Sequence, residues 1–230
     1  QSDSGNGLSL LELPAGSYQM TIDGSGKTTG EYAFRLVDLS SASPLVLDAS
    51  IVGTLDPGME TDLYRLDALA GDRLSFIMES FSGGATTGRW RLIDPYGQVV
   101  FNQLLSYSQD NVLLPYTGSY TLLLEGRITQ PEPRSFTFGV MTVGHEEVAP
   151  FTGLPLTLGS RIVGAIASPT EHVDYVWTTT ESCFVYFDAL TNNSGLLWTL
   201  KGPTGTLVKG RRFDQSDSGN GLSLLELPAG

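Results

Sequence analysis

The sequence predicts an all-β chain, with two tandem β-sandwich modules in each repeat of 214 residues (215 − 1). Three observations carry this prediction: short runs alternate apolar with polar side chains, turn residues rich in Gly and Pro separate the runs, and one 16-residue segment occurs twice unchanged. Alternation with period two is typical of a strand that has one buried face. No segment has a helical period of useful length, and 40% hydrophobic residues in 230 suffice to fill real cores.

The exact repeat sets the largest unit of organisation. QSDSGNGLSLLELPAG occupies residues 1–16 and again residues 215–230. Sixteen identical consecutive residues do not arise by chance, so we interpret the chain as one full period followed by the start of the next, taken from a longer array.

A weaker repeat divides the period into halves of about 105 residues when the end of the chain is joined to its beginning. The order of the matching segments is kept throughout, which indicates two copies of one fold. Residues 44–47 match 155–158, 51–53 match 162–164, 90–92 match 198–200, 94–97 match 202–205, 118–120 match 16–18, 125–126 match 23–24, and 136–138 match 32–34.

These matches predict the domain boundaries. Residues 44–143 form a complete module, 144–154 a linker, and 155–230 the N-terminal part of a second module. Residues 1–43 are then the C-terminal part of such a module, completed by the preceding repeat. The linker at 39–43 spans at most about 18 Å, less than the roughly 26 Å width of a 100-residue domain, so we do not expect residues 17–43 to fold back onto their own second module.

Six runs in the complete module read as strands, at 61–69, 72–80, 88–95, 98–104, 119–126 and 134–143. The segments DPG, SGG, DPYG, YTGS and PEP between them have the composition of tight turns. Short strands at this spacing predict a sandwich of jelly-roll or immunoglobulin-like kind.

The motifs in their order resemble the bacterial pre-peptidase C-terminal domain and its jelly-roll relatives. They are I-V-G-T-L, D-L-Y-R-L, L-A-G-D-R-L-S-F, W-R-L-I-D-P-Y-G and Y-T-G-S-Y-T-L-L-L-E; the second module departs from the pattern at 178–182, where TTTES replaces the "aG" turn. The resemblance implies a secreted accessory or surface module, and in long arrays an adhesin or filament unit. It transfers a fold and a compartment, but no catalytic residue.

Charge narrows the choice of partner and compartment. With 25 Asp and Glu against 13 Lys and Arg, the net charge is −12, which repels nucleic acid and anionic lipid. There is no apolar stretch of about 20 residues that could span a membrane. We expect a soluble, extracellular or cell-surface chain.

The sequence does not predict an enzyme or a cofactor. GSGKT at 24–28 is half of a phosphate-binding loop, but Thr21 stands where a Gly is needed and a strand-like run follows. His145 and His172 have no second His at ligand spacing and no supporting motif. Cys183 lies in a strand-like run, where a small buried hydrophobe is the expected role.

Carboxylates precede the second predicted strand of each module and are weak calcium candidates. They are Asp56, Glu60 and Asp62 in one module and Glu171 and Asp174 in the other. Calcium favours oxygen-rich loops between extracellular β-modules, although the spacing fits no EF-hand or Gly-Asp repeat and a solvated acidic loop is the alternative.

The predicted partners are neighbouring copies of the same repeat, joined head to tail. The expected inter-unit contact residues are Gly7, Leu8, Leu10, Leu11, Leu13, Tyr18, Met20 and Ile22. The function predicted is that of a structural repeat in a long extracellular fibre, filament or adhesin stalk. The alternative is a multivalent collagen- or carbohydrate-binding surface module, in which Trp90 and Trp198 form a stacking platform rather than core.

Overall fold

The computed structural model describes residues 10–11, 13–83, 88–216 and 224–227, which are almost entirely β-strand and connecting loop. The chain divides into two compact units, Gln1–Glu147 and Val148–Gly230. Because each unit is organised around its own strands, the two are described separately as unit one and unit two.

Unit one is a two-sheet sandwich. One sheet has the strand order β1-β3-β8-β5-β6 and the other β2-β9-β4-β7, and every pairing is antiparallel except that of β1 with β3. The strands are β1 Ser43–Pro44, β2 Ser50–Leu55, β3 Thr61–Ala68, β4 Asp72–Phe81, β5 Arg89–Ile93, β6 Val99–Leu104, β7 Gln109–Leu113, β8 Gly118–Glu125 and β9 Arg134–His145.

The core of unit one depends on its interior strands β8 and β9. Alternate residues of both strands point inward, and Tyr120, Leu122, Leu124, Phe136, Phe138 and Val140 are at most 1% exposed. Against them pack Phe76 and Trp90 from the neighbouring strands, with ring centroids 6.4 Å apart and edge to face. Gly53 on β2 is required here because a Cβ at that position would lie 2.3 Å from the Phe136 ring.

The described residues of unit two, 148–216 and 224–227, form three separate two-stranded ladders. They pair β10 (Leu154–Pro155) with β11 (Tyr175–Val176), β12 (Cys183–Tyr186) with β15 (Leu224–Leu227), and β13 (Leu197–Gly202) with β14 (Gly205–Arg212). The first ladder is parallel and the other two are antiparallel.

The ladders of unit two repeat pairings seen in unit one. In β10–β11, Leu154 pairs with Tyr175, and in β1–β3 Ser43 pairs with Tyr64, each residue 111 positions earlier (175 − 64). The β13–β14 hairpin corresponds to β5–β6, and the matching loop hydrogen bond recurs: Leu105 N donates to Gly88 O at 3.0 Å, as Phe213 N does to Leu196 O at 3.0 Å.

The third ladder, β12–β15, corresponds to β4–β7. Leu227 on β15 is buried, as Leu114 is just after β7. Unit two therefore holds counterparts of β1–β3, β4–β7 and β5–β6. Among its described residues, 148–216 and 224–227, no strand corresponds to β8 or β9.

Candidate assembly interface

The N-terminal segment, defined here as residues 17–38, carries a row of exposed apolar side chains. It contains no assigned helix or strand, and its one turn lies at residues 25–27, where Thr28 N donates to Ser25 O at 3.1 Å. No helix follows GSGKT, so the phosphate-loop arrangement is absent from this segment. The exposed apolar side chains are Tyr18, Met20, Ile22, Tyr32, Phe34, Leu36 and Val37.

Local contacts in this segment already have the geometry of a strand. The rings of Tyr32 and Phe34 lie on one side, with centroids 6.3 Å apart and planes 22° from parallel. In unit one, Phe136 and Phe138 on β9 are arranged similarly, at 6.0 Å and 38°. Residues two apart share a face only in an extended chain, so this stretch already presents one apolar face.

Arg35 joins the segment to the body of unit one. Its Nη1 lies 2.6 Å from Oε2 of Glu60, and its Nη2 donates to the carbonyl of Thr61 at 3.2 Å. Burial, with a contribution from the neighbouring Glu60, raises the pKa of Asp62, and the charge of Arg35 opposes that rise. Because the Arg35 side chain is 54% exposed, this attachment is weak.

The calcium candidates of the two units occupy matching turns. Oε1 of Glu60 accepts from the Asp56 amide at 2.7 Å, and Oε2 of Glu171 accepts from the Ala167 amide at 2.5 Å. Asp174 lies 3.7 Å from His172. In the described part of the chain, no three His, Cys, Asp or Glu side chains are placed to hold a metal ion. Glu60 and Glu171 each accept a backbone amide within a turn, and calcium binding at these carboxylates stays a prediction.

The remaining predicted contact residues lie on the approach to the segment. Leu10 is half-buried beside Gly97, in the turn between β5 and β6. Leu11 and Leu13 are exposed. Gly7 and Leu8 lie outside the described residues.

The inward face of unit two is less covered than that of unit one. Ile166 is 44% exposed, whereas its counterpart Leu55 is fully buried. The same difference holds along the ladders. Val185, Trp198 and Leu200 are half-buried, whereas their counterparts Phe76, Trp90 and Leu92 have no exposed surface.

Trp90 and Trp198, two of the three tryptophans, bear on the alternative of a sugar-binding platform. Trp90 lies entirely within the core of unit one. Trp198 stacks on Phe187 at 4.1 Å, and its Nε1 donates to Ser216 Oγ at 2.7 Å. Trp90 cannot offer a ring face to a sugar, so the two do not form a matched pair of exposed platforms.

Three further residues continue the row of exposed apolar side chains beyond the predicted contact residues. Tyr32, Phe34 and Leu36 expose as much apolar surface as Tyr18, Met20 and Ile22, but the predicted contact residues ended at Ile22. The signal was present in the alternation of EYAFRLVD over residues 31–38.

Chemistry elsewhere in the structure is sparse. Cys183 is a free, half-buried thiol on β12. His145 Nδ1 lies 2.8 Å from Oδ1 of Asp72, at the end of β9. Among the residues that the structure describes, no helix has the length and apolar character needed to span a bilayer.

Comparison with known proteins yields similarities of structure only. No family model and no curated protein sequence matches the chain. Among solved structures, PliG from Aeromonas hydrophila, a periplasmic inhibitor of g-type lysozyme, is 18% identical, with a TM-score of 0.34 over 43% of this chain and 95% of that one. The pre-peptidase C-terminal domain of collagenase from Bacillus anthracis is also 18% identical, with a TM-score of 0.34 over 44% and 94%.

A third structure is the Gap123 glycosylation-associated complex from Streptococcus agalactiae. It is 12% identical, with a TM-score of 0.29 over 55% of this chain and 51% of that one. No residue role or ligand is carried over from any of these proteins.

Proposed function

We propose that this chain is a structural repeat unit of a long extracellular fibre, filament or adhesin stalk, built end to end from β-sandwich modules. The observation that carries the proposal is the unchanged recurrence of residues 1–16 at 215–230. A segment repeated without change, flanking two related β-modules, is the pattern expected of an array whose length comes from repetition.

The repetition within the period supports the same conclusion. Turns and hydrogen bonds of unit one recur in unit two at corresponding positions, as with Glu60 N to Pro57 O at 2.9 Å and Glu171 N to Ser168 O at 3.0 Å. The acidic net charge of −12 suits an exposed polymer that must stay soluble. The proposal includes a location of this polymer at the cell surface.

The test is the length of tandem arrays. Proteins with one, two and four copies of the 214-residue period (215 − 1) would be imaged by negative-stain electron microscopy. We expect rods whose length grows by roughly 50 Å per period, since each contributes two modules about 26 Å across. Particles that stay compact as periods are added would contradict a role in building length.

A further inference from the structure

We infer that the open sandwich of unit two is closed by residues 17–38 of a second copy of this chain, which supply its two missing interior strands. This inference rests on the proposed end-to-end assembly and names the contact that makes it. Residues 17–24 take the place of β8 and residues 30–38 the place of β9.

The first argument is which strands unit two lacks. Removing β8 and β9 from unit one would leave the pairs β1–β3, β5–β6 and β4–β7, with β2 unpaired. The described residues of unit two form three ladders that correspond to those pairs, β10–β11, β13–β14 and β12–β15. Residues 162–166, the counterpart of β2, have no strand assignment. The pattern matches a sandwich from which two interior strands are missing.

The second argument is that the segment has the sequence of those strands. GSYQMTIDG at 16–24 matches GSYTLLLEG at 118–126, and EYAFRLVD at 31–38 has the alternation of SFTFGVMT at 135–142. Six of its seven exposed apolar residues correspond one to one with six core residues of unit one. The pairs are Tyr18 with Tyr120, Met20 with Leu122, Ile22 with Leu124, Tyr32 with Phe136, Phe34 with Phe138, and Leu36 with Val140.

The third argument is that unit two has a glycine where residues 17–38 would place a large side chain. In unit one the absence of a Cβ at Gly53 leaves space for the Phe136 ring, and Gly164 is the counterpart of Gly53 in unit two. In the closed sandwich Gly164 therefore faces Tyr32. By the same correspondence Met20 lies between Tyr175 and Leu200, as Leu122 lies between Tyr64 and Leu92.

The occupant is specified by the repeated 16-residue segment. Its second copy already fills the β7 position of unit two, because Leu224–Leu227 pairs with Cys183–Tyr186. The strands that follow this segment in sequence are residues 17–38, after its first copy. Arg35, whose side chain is 54% exposed, contacts Glu60 and the Thr61 carbonyl of its own unit, and these contacts are weak enough to be exchanged for burial of six apolar side chains.

The register predicts which residues can be cross-linked. In unit one Arg91 pairs with Leu123 and Ile93 pairs with Thr121. The corresponding pairs across two copies are Thr199 with Thr21 and Lys201 with Gln19. Paired residues in antiparallel strands have Cα atoms about 4.5–5.5 Å apart, which permits a disulfide.

The experiment uses the full 230-residue chain with Cys183→Ala, so that each variant carries a single thiol. A chain with Thr21→Cys is mixed with one bearing Thr199→Cys and oxidised, and Gln19→Cys is mixed with Lys201→Cys. The mismatched controls mix Thr21→Cys with Lys201→Cys and Gln19→Cys with Thr199→Cys. We expect roughly tenfold more disulfide-linked heterodimer from each matched mixture than from its mismatched control, because a disulfide tolerates little displacement.

Equal yields from matched and mismatched mixtures would overturn the inference. So would a chain carrying both Thr21→Cys and Thr199→Cys that oxidises to a monomer while the single-thiol mixtures stay unlinked, because the segment would then close its own unit two. Rods in tandem arrays without matched cross-links would reject this contact and leave the proposed function standing. Matched cross-links in the 230-residue chain together with tandem arrays that stay compact would support this contact and reject the proposed function.

Discussion

Tyr18 and Tyr120 form the same corner in two different parts of the chain. The hydroxyl of Tyr120 donates to the carbonyl of Tyr116 at 2.9 Å, and the hydroxyl of Tyr18 donates to the carbonyl of Pro14, in each case four residues earlier. In unit one this corner leads into β8, an interior strand. The N-terminal segment therefore begins with the same turn that leads into β8, although the Tyr18 ring is exposed.

The corner in unit one contributes to stability through two hydrogen bonds. Besides donating to Tyr116 O, the Tyr120 hydroxyl accepts from Tyr116 N at 3.0 Å. Tyr120→Phe keeps the buried ring and leaves that amide without its partner, so we expect a loss of about 1–2 kcal/mol. Hydrogen exchange of β8 amides measures this loss. Tyr107→Phe, at a 60% exposed ring, is the matched control, and an equal loss there would contradict the role of the corner.

A second prediction concerns a buried ion pair on β5 and β8. Nε of Arg91 lies 3.2 Å from Oε1 of Glu125, Nη2 lies 3.3 Å from Oε2, and both side chains are about 5% exposed. Arg91→Ala would leave the carboxylate buried without this cation, at a cost of about 3–5 kcal/mol. Unfolding by denaturant, with hydrogen exchange of the β5 amides as the probe of unit one, measures this loss in unfolding free energy.

The control for this ion pair replaces both partners together. Arg91→Met with Glu125→Leu removes both charges and keeps the volume, so we expect it to recover most of the stability that Arg91→Ala loses. A double variant as unstable as Arg91→Ala would mean that the arginine stabilises unit one through contacts other than its charge pairing with Glu125.

The strands β3 and β4 could be predicted from sequence because more buried and more exposed residues alternate along them. The run at 61–69 became Thr61–Ala68, and the run at 72–80 became Asp72–Phe81. The prediction of an all-β sandwich is confirmed. The strand Gln109–Leu113 was missed because only Gln109 and Val112 of its five residues are even half-buried, which leaves little alternation to detect.

The roles of the carboxylates could not be read from spacing alone. A cluster of Asp and Glu before a strand has the same sequence signature whether it binds calcium or closes a turn, since both use carboxylate oxygens. The structure adds that the Asp56 amide donates to Glu60, a contact that the spacing alone does not reveal. The apolar alternation of Tyr32, Phe34 and Leu36 can be recognised in the sequence. Whether that apolar face is exposed cannot be predicted from the alternation, because exposure depends on which strands pack against it.

The third prediction is a dependence of unit one on acid pH through Asp72. Partial burial tends to raise its pKa, but hydrogen bonds from the Leu69 amide and from His145 outweigh burial, and the pKa lies below its usual 3.8. A carboxyl with a lowered folded-state pKa stabilises the fold above the unfolded value and loses that contribution as pH falls through the folded one. We expect stability to fall between about pH 5 and about pH 2.

Asp72→Asn isolates this contribution. The difference in unfolding free energy between the parent chain and the variant should be constant above about pH 5. Below about pH 5 it should shrink, because the parent chain loses the stabilisation contributed by the ionised Asp72 carboxylate. Asp110→Asn, at an exposed position of β7, is the matched control. A difference for Asp72→Asn that stays constant down to pH 2 would sink the proposal that its ionisation stabilises unit one.

The last prediction separates turn fixing from calcium binding at Glu60 and Glu171. Each carboxylate accepts the amide four residues before it, and Glu60 also pairs with Arg35 at 2.6 Å. Glu60→Gln keeps an acceptor for the Asp56 amide but removes the charge, whereas Glu60→Ala removes both, so we expect losses of under 1 and about 1–2 kcal/mol respectively. Thermal unfolding with calcium in millimolar excess and with a chelator supplies the decisive comparison. If the carboxylates serve only the turns, calcium changes the unfolding temperature of none of the three chains, although the variants unfold at lower temperatures than the parent chain. A calcium-dependent rise in the parent chain that Glu60→Gln abolishes would assign the carboxylate to a metal ion instead.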